Sequence, residues 1–341
     1  MKDINVDLIH EALFLEKPKL AFSSDVNYES WKRKLKNKYL ELLGMKNIAK
    51  NKCDLNLEIE EVVEKDEYIR YRFTFESEKK SIVPCYLLIP KKENKKYPVC
   101  ICLQGHSSGF HISIGEKKFK EDDRWLETST FALDAVKNGF AAFCIEQRGM
   151  GERTTPIDRR ARALTCGCYH TAMTALLLGR TLIGERVWDV HKGIDALSHF
   201  KKYLDLNDIT ILGNSGGGTA SYYAACYDKR IKMVVSCSAI STYRNSIANV
   251  WHCSCNYIPH IAEYIDMGEL SALIAPRKLI IAMGELDPIF PIDGTKEVYQ
   301  VIEKIYQKEN APQNVRLVIV PEKPHYFDKV LTFGAIKEMR Q

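Results

Sequence analysis

The spacing of apolar residues changes character twice along the chain. Over residues 1–50, Trp31, Leu35, Tyr39 and Leu42 recur at intervals of three and four, with lysines between them. That period predicts helix with one packing face. Over 55–90, Leu55, Leu57, Ile59 and Val62 roughly alternate with polar and acidic residues. Tyr71, Phe73 and Phe75 alternate strictly, and Val83 to Ile89 is an apolar run. Here the period of two predicts antiparallel strands that open a sheet. Beyond residue 98 the strands become short and almost wholly apolar: Val99–Leu103, Ala141–Ile145, Ile209–Leu212, Met233–Cys237, Leu279–Met283 and Val315–Val320. Helical patterns separate them at 124–138, at 185–200 (through Val187, Val190, Ile194 and Leu197) and at 294–307. Apolar strands alternating with helices imply a parallel sheet covered on both faces, wound with right-handed crossovers. The fold class is therefore α/β. We expect residues 1–54 to form a helical extension packed on a domain spanning 55–341. The unpatterned stretches 148–168 and 240–270 both follow strands, and 240–270 is the expected lid.

Composition narrows the function. With 341 residues and 45% apolar content, the chain can bury a large core. Its 49 basic and 44 acidic residues leave a net charge of only +5. Lys91-Lys92, Lys95-Lys96 and Lys117-Lys118 fall in polar, loop-like stretches and read as solvated surface, so no nucleic-acid partner is expected. Met1 to Leu8 lacks a signal-peptide core, and no apolar run nears the ~18 residues of a membrane span, so the expected location is cytoplasmic, with no membrane partner. The cysteine count, eleven, is odd. Cys100, Cys102, Cys144 and Cys237 lie in strand patterns, where reduced cysteine packs as a small hydrophobe.

Gly213-Asn214-Ser215-Gly216-Gly217 reads Gly-x-Ser-x-Gly between the apolar run Ile209–Leu212 and a helix-like stretch. Strand, sharp turn and helix are the context of a nucleophile elbow, which lifts a serine hydroxyl above the sheet. A serine hydroxyl needs a base, and the base needs an orienting carboxylate. The expected chain order is serine, acid, histidine. Asp287 lies past the end of Leu279–Met283, on a loop stiffened by Pro288 and Pro291, with Glu285 as local competitor. His325 follows Val315–Val320 and is the only histidine after Asp287. For the oxyanion we expect the Gly216 N–H and, from the loop Gln104-Gly105-His106-Ser107, the His106 N–H, with Ser107 as neighbour. Arg148 is read as tying its loop down by ion pairing, and Arg186, Trp188 and Asp189 as packing and capping. Cys166, Cys168 and His170, with His252, Cys253 and Cys255, are soft ligands at close spacing. Cys-x-Cys is tighter than usual zinc spacing, and a chain of this length needs no metal staple, so neither a metal nor an organic cofactor is expected.

These segments resemble the α/β-hydrolase superfamily, and within it the bacterial branch of acetyl-xylan-esterase-like and dienelactone-hydrolase-like proteins. The likeness rests on Leu103–His106, Glu146–Gly151, Gly179–Asp189, Gly213–Gly218, His252–Pro259 and Asp287–Pro291, and spans roughly 55–335. Two positions depart from the family pattern. Lys323-Pro324 precedes His325 where relatives often have Gly-Gly, and Gln104-Gly105-His106 replaces a His-Gly-x pattern. The resemblance implies a mostly parallel central sheet flanked by helices, with antiparallel strands at its N-terminal edge. It further implies a serine carboxylesterase for small-molecule or oligosaccharide esters, O-acetylated carbohydrates among them. The alternatives are a peptidase or a lactone or C–C hydrolase on the same three residues, or a non-catalytic binding protein on the scaffold. Tyr243, Trp251, Tyr257 and Tyr264 are read as lid core ahead of sugar-stacking platforms.

Overall fold

The computed structural model describes residues 4–91, 96–161 and 167–341; Lys92, Lys95 and Cys166, singled out above, lie outside them. Among the described residues, nine strands form one sheet: β1 (Glu58–Glu64), β2 (Tyr68–Glu78), β3 (Ser81–Pro90), β4 (Tyr97–Leu103), β5 (Ala141–Ile145), β6 (Leu204–Asn214), β7 (Ile231–Cys237), β8 (Lys278–Gly284) and β9 (Val315–Val320). Their order is β1-β2-β3-β5-β4-β6-β7-β8-β9. The pairs β1/β2, β2/β3 and β3/β5 are antiparallel, and every pair from β5/β4 to β8/β9 is parallel. This is the mostly parallel, helix-flanked α/β sheet with an antiparallel N-terminal edge that the apolar pattern implied.

Burial on both faces explains the near-continuous apolar strands. Along β4, Val99, Ile101 and Leu103 join the core on one face, while Cys100 and Cys102 join the core on the other. Successive strand side chains point to opposite faces, so each needs its own apolar layer. The buried cysteines of β3, β4, β5 and β7 are free thiols in these layers.

Three helical stretches differ from the sequence pattern in extent. The N-terminal region divides into Asp7–Leu13, Tyr28–Leu42 and Met45–Ala49. Pro18 lies in the first break, and Gly44, with φ of 72°, makes the second. Trp31, Leu35 and Tyr39 are buried as their spacing predicted, and the Tyr39 hydroxyl donates to the Tyr223 carbonyl at 2.6 Å. The 124–138 stretch divides into Asp123–Leu126 and Phe131–Lys137, with Thr128-Ser129-Thr130 between them. The 185–200 helix starts earlier, at Leu182, because the Thr181 hydroxyl accepts the Gly184 N–H at 3.0 Å and caps it. Its last turn tightens to a 3₁₀ helix over Leu197–Phe200.

Arg148 ties down its loop as read. It is half-buried among Glu78, Glu185 and Asp189, and Arg153 and Arg180 complete the ion-pair cluster. Trp188 donates its indole N–H to the Ser77 carbonyl. No helix among the described residues is long and apolar enough to cross a membrane.

Candidate active site

The parallel strands all end on one side of the sheet, and their exit loops meet there. Ser215 follows β6 directly and precedes the helix Gly216–Tyr227. Its φ of 54° and ψ of −125° lie outside ordinary L-residue space, at a cost of about 1–3 kcal/mol. Two backbone hydrogen bonds hold it there: Ser215 N–H to the Cys237 carbonyl (2.8 Å), and Thr219 N–H to the Ser215 carbonyl (2.9 Å). Glycine is obligatory on both sides of the turn. A Cβ on Gly213 would overlap the Gly217 backbone, and a Cβ on Gly217 would overlap the Leu103 carbonyl.

Asp287 and His325 come from the exits of β8 and β9. Those neighbouring exits are stitched together by Glu285 N–H to the Val320 carbonyl (3.0 Å) and Leu286 N–H to the Lys323 carbonyl (2.8 Å). A side chain on Gly284 would strike the Pro324 carbonyl, so the Lys323-Pro324 variant is accommodated by close backbone packing. His325 Nδ1 lies 2.8 Å from Asp287 Oδ2. The other carboxylate oxygen accepts the N–H groups of Ile289 (2.8 Å) and Phe290 (3.0 Å). Asp287 is thus buried with both carboxylate oxygens engaged, and its orientation is fixed. The competitor Glu285 instead accepts the Glu322 N–H at the surface. Phe290 stacks on the His325 ring, with centroids 6.2 Å apart.

Gly105 closes the opposite side. A Cβ there would stand 3.0 Å from the Asn214 carbonyl and 3.1 Å from Ser215 Cβ, so the Gly105–His106 backbone runs against the serine. The His106 ring lies over Gly216. Behind this segment, Gln104 donates to the buried Glu146 carboxyl (2.7 Å), and Gln147 donates to the Gln104 carbonyl (2.6 Å). Burial pushes the Glu146 carboxyl up to about 8, against two backbone N–H bonds that favour its ionised form.

Ser215, His325, Gly105 and His106 line a cavity of about 330 Å³, closed by Trp125, Trp251, His252, Phe290, Tyr326 and Phe327. A second cavity of about 660 Å³ shares His106, Ser107 and Trp251 with it and brings Lys118, Glu152 and Arg159 to its walls. Of the four aromatics between 240 and 270, only Trp251 lines the serine cavity. Tyr243 is buried and Tyr264 packs on the core, as expected, whereas Trp251 and Tyr257 are exposed rather than core, the Tyr257 hydroxyl donating to the Ile247 carbonyl. Sequence reading missed His252 as part of this wall. Its Nε2 lies 2.9 Å from the Ser246 hydroxyl and 3.2 Å from the Ile289 carbonyl, and burial lowers its proton affinity. Trp125, Tyr326 and Phe327 were missed too, since single aromatics in loops carry no periodic signal.

The cysteine motifs are partly brought together. Cys168, Cys253 and Cys255 converge, and His106 joins them. His252 turns to Ser246 instead, and His170 stands apart, its backbone N–H on Asp158 (2.7 Å).

The fold is shared with solved structures at low identity. A candidate acetyl xylan esterase from Bacteroides fragilis NCTC 9343 superposes with a TM-score of 0.79 at 18% identity, covering 99% of this chain and 96% of that one. A glucuronoyl esterase from Solibacter usitatus gives 0.68 at 15% identity over 95% and 97%. Acetyl xylan esterase 1 from Thermoanaerobacterium sp. JW/SL YS485 gives 0.61 at 16% over 99% and 98%. In sequence, the chain is 24% identical over 266 residues to YtaP of Bacillus subtilis (strain 168), named as a candidate hydrolase, across 76% of this chain and 83% of that protein. A family model described as “Abhydrolase family” matches residues 5–326, a span that holds every strand of the sheet together with Ser215, Asp287 and His325, and the chain belongs to that family.

Proposed function

We propose that this chain is a serine carboxylesterase that cleaves short acyl esters through Ser215, His325 and Asp287. The observation that carries the reading is the Asp287–His325 hydrogen bond of 2.8 Å, on the same small cavity as an elbow serine. His325 takes the hydroxyl proton as Ser215 attacks the ester carbonyl, and then protonates the leaving alcohol. Water, activated by His325, releases the acid, while Asp287 keeps the imidazole oriented. The N–H groups of Gly216 and His106 hold the oxyanion. At about 330 Å³ the cavity sits at the small end of ligand sites, which supports a short acyl group. The larger cavity across Trp251, with Lys118, Glu152 and Arg159 on its walls, suits the alcohol part, and esters of carbohydrates fit both this division and the esterase names of the structural relatives. On the same reading, residues 55–341 form the catalytic domain, 1–54 an extension packed on it, and 240–270 its cap.

The test is hydrolysis of p-nitrophenyl esters of increasing acyl length, beside acetylated sugars, by wild type and Ser215→Ala. Activity is expected to be highest with acetyl and lost in the variant, and a fluorophosphonate probe should label Ser215. A wild type inert to the whole panel, or an alanine variant with full activity, overturns the assignment.

A further inference from the structure

Four soft donors meet under the His106 segment. Cys168, Cys253, Cys255 and His106 place their ligand atoms all within 4.8 Å of one another, with Cys255 Sγ 3.4 Å from His106 Nε2. For zinc, bond lengths of about 2.3 Å to sulfur and 2.0 Å to nitrogen put the sulfur–nitrogen edge of a tetrahedron at about 3.5 Å. The donors come from three separate exits. His106 follows β4, Cys168 precedes the helix Tyr169–Leu177, and Cys253 and Cys255 bracket the turn at Ser254. All three cysteines are buried and reduced. Packing alone would account for thiols in an apolar pocket, but it does not account for Arg186. That guanidinium is 1% exposed. It donates to the Arg148 carbonyl (3.0 and 2.8 Å) and to Cys168 Sγ (3.3 Å), while its Nη1 has no hydrogen-bond partner. No carboxylate among the described residues forms an ion pair with it. A buried cation without a counter-charge is costly, so negative charge belongs on the sulfurs it faces.

We propose that Cys168, Cys253, Cys255 and His106 Nε2 bind one zinc(II) ion in a closed tetrahedral site, which fixes the His106 segment against Ser215. Three thiols lose their protons to solvent as the ion binds, and the imidazole binds neutral. Zinc with three thiolates carries a net charge of −1, which Arg186 neutralises within the pocket. Three thiolates and one imidazole are a structural zinc set, with no position left open for substrate. Its role here is local. The ring of His106 is held on one side while its backbone runs against the serine, where on the esterase reading its N–H meets the oxyanion. The ion itself stands independently of the esterase reading; only its effect on turnover rests on it.

The experiment is metal analysis of reduced full-length protein, prepared with zinc supplied and freed of loose metal on a chelating resin. Wild type should hold about one zinc per chain, and Cys253→Ser with Cys255→Ser under about a tenth of that. Cobalt(II) exchanged into wild type should show the intense visible bands and thiolate charge transfer of a tetrahedral thiolate site. Removing the metal should lower the unfolding midpoint and cut kcat for acetyl esters about 10- to 100-fold with little change in KM, both restored by zinc and not by magnesium. Wild type below about a tenth of an equivalent, an octahedral cobalt spectrum, or full metal retention in the double variant overturns the site. Stoichiometric zinc with turnover unchanged on its removal overturns the positioning role. Stoichiometric zinc in a protein inert to all esters sinks the esterase reading and upholds the site.

Discussion

On one flank of Ser215, Asp287 and His325 leave two adjacent parallel strands and meet after a few residues each. On the other flank, the Gln104–His106 segment is set by Glu146 and Gln147 from the exit of β5, by Gly216 beneath the His106 ring, and by cysteines about 60 and 150 positions further along. The first flank is a product of sheet register: β8 and β9 pair from Leu279/Val315 to Gly284/Val320, and the loop stitching continues that ladder. The second is a product of side-chain chemistry gathered from distant segments. A register survives most substitutions in its loops, whereas a gathered network fails when one member changes, so the two flanks should respond differently to perturbation.

The largest expected effects come from the chemistry on the first flank. Ser215→Ala should reduce kcat for p-nitrophenyl acetate by about a million-fold. Asp287→Asn should cost about ten-thousandfold, because the amide lets the imidazole adopt the wrong tautomer. Both proteins should keep near-wild-type circular dichroism, since neither change opens a cavity; a loss under tenfold in either would refute the assigned role. On the second flank the effects should be geometric. Gly105→Ala adds a carbon 3.0 Å from the Asn214 carbonyl and 3.1 Å from Ser215 Cβ, displacing the His106 peptide by tenths of an ångström. We expect about a 10- to 100-fold drop in kcat with KM nearly constant, and wild-type turnover would show that this backbone holds no oxyanion.

Glu146 sharpens the comparison through pH. Its proton affinity is raised to about 8 in the folded chain, above its ordinary glutamate value. The folded state therefore holds a proton that the unfolded state has already released. The contribution is favourable below the ordinary glutamate range and is lost as pH rises towards about 8, with a slope on the order of 1 kcal/mol per pH unit. Urea unfolding at several pH values should show this decline in wild type and a flatter profile in Glu146→Gln, which stays neutral throughout. Equal slopes would mean that Glu146 is ionised in the fold. The smallest effect is expected at the rim: Trp251 is 77% exposed, so Trp251→Ala should raise KM for aryl or sugar esters by a few-fold and leave the unfolding midpoint unchanged.

The same contrast explains what the sequence disclosed. Apolar runs located the strands because both faces of the sheet demand burial, and the elbow announced itself because Gly213 and Gly217 leave no room for a Cβ. Asp287 and His325 were legible as strand exits. The walls were not: Trp125, His252, Tyr326 and Phe327 lie in loops without period, and their convergence depends on contacts over long separations. The cysteines were visible as soft ligands, but their spacing along the chain hid the fourth donor. His106 is about 60 residues from the nearest of them, and Cys-x-Cys paired with a distant histidine has no local signature. The nearby His252 and His170 were the natural candidates by proximity, yet the fold points them elsewhere.

The hydrogen bond from Tyr39 to the Tyr223 carbonyl bears on how the chain can be trimmed. Tyr223 lies in the helix that begins directly after Ser215, and Trp31, Leu35 and Tyr39 share a core with that helix. A shortened version starting at β1 would leave this carbonyl to water and bare a contiguous apolar face on the back of the elbow helix. Exposed patches of that kind drive association. Such a truncation should yield aggregated, poorly expressed material, and expression tags belong ahead of the first helix, where its residues are exposed.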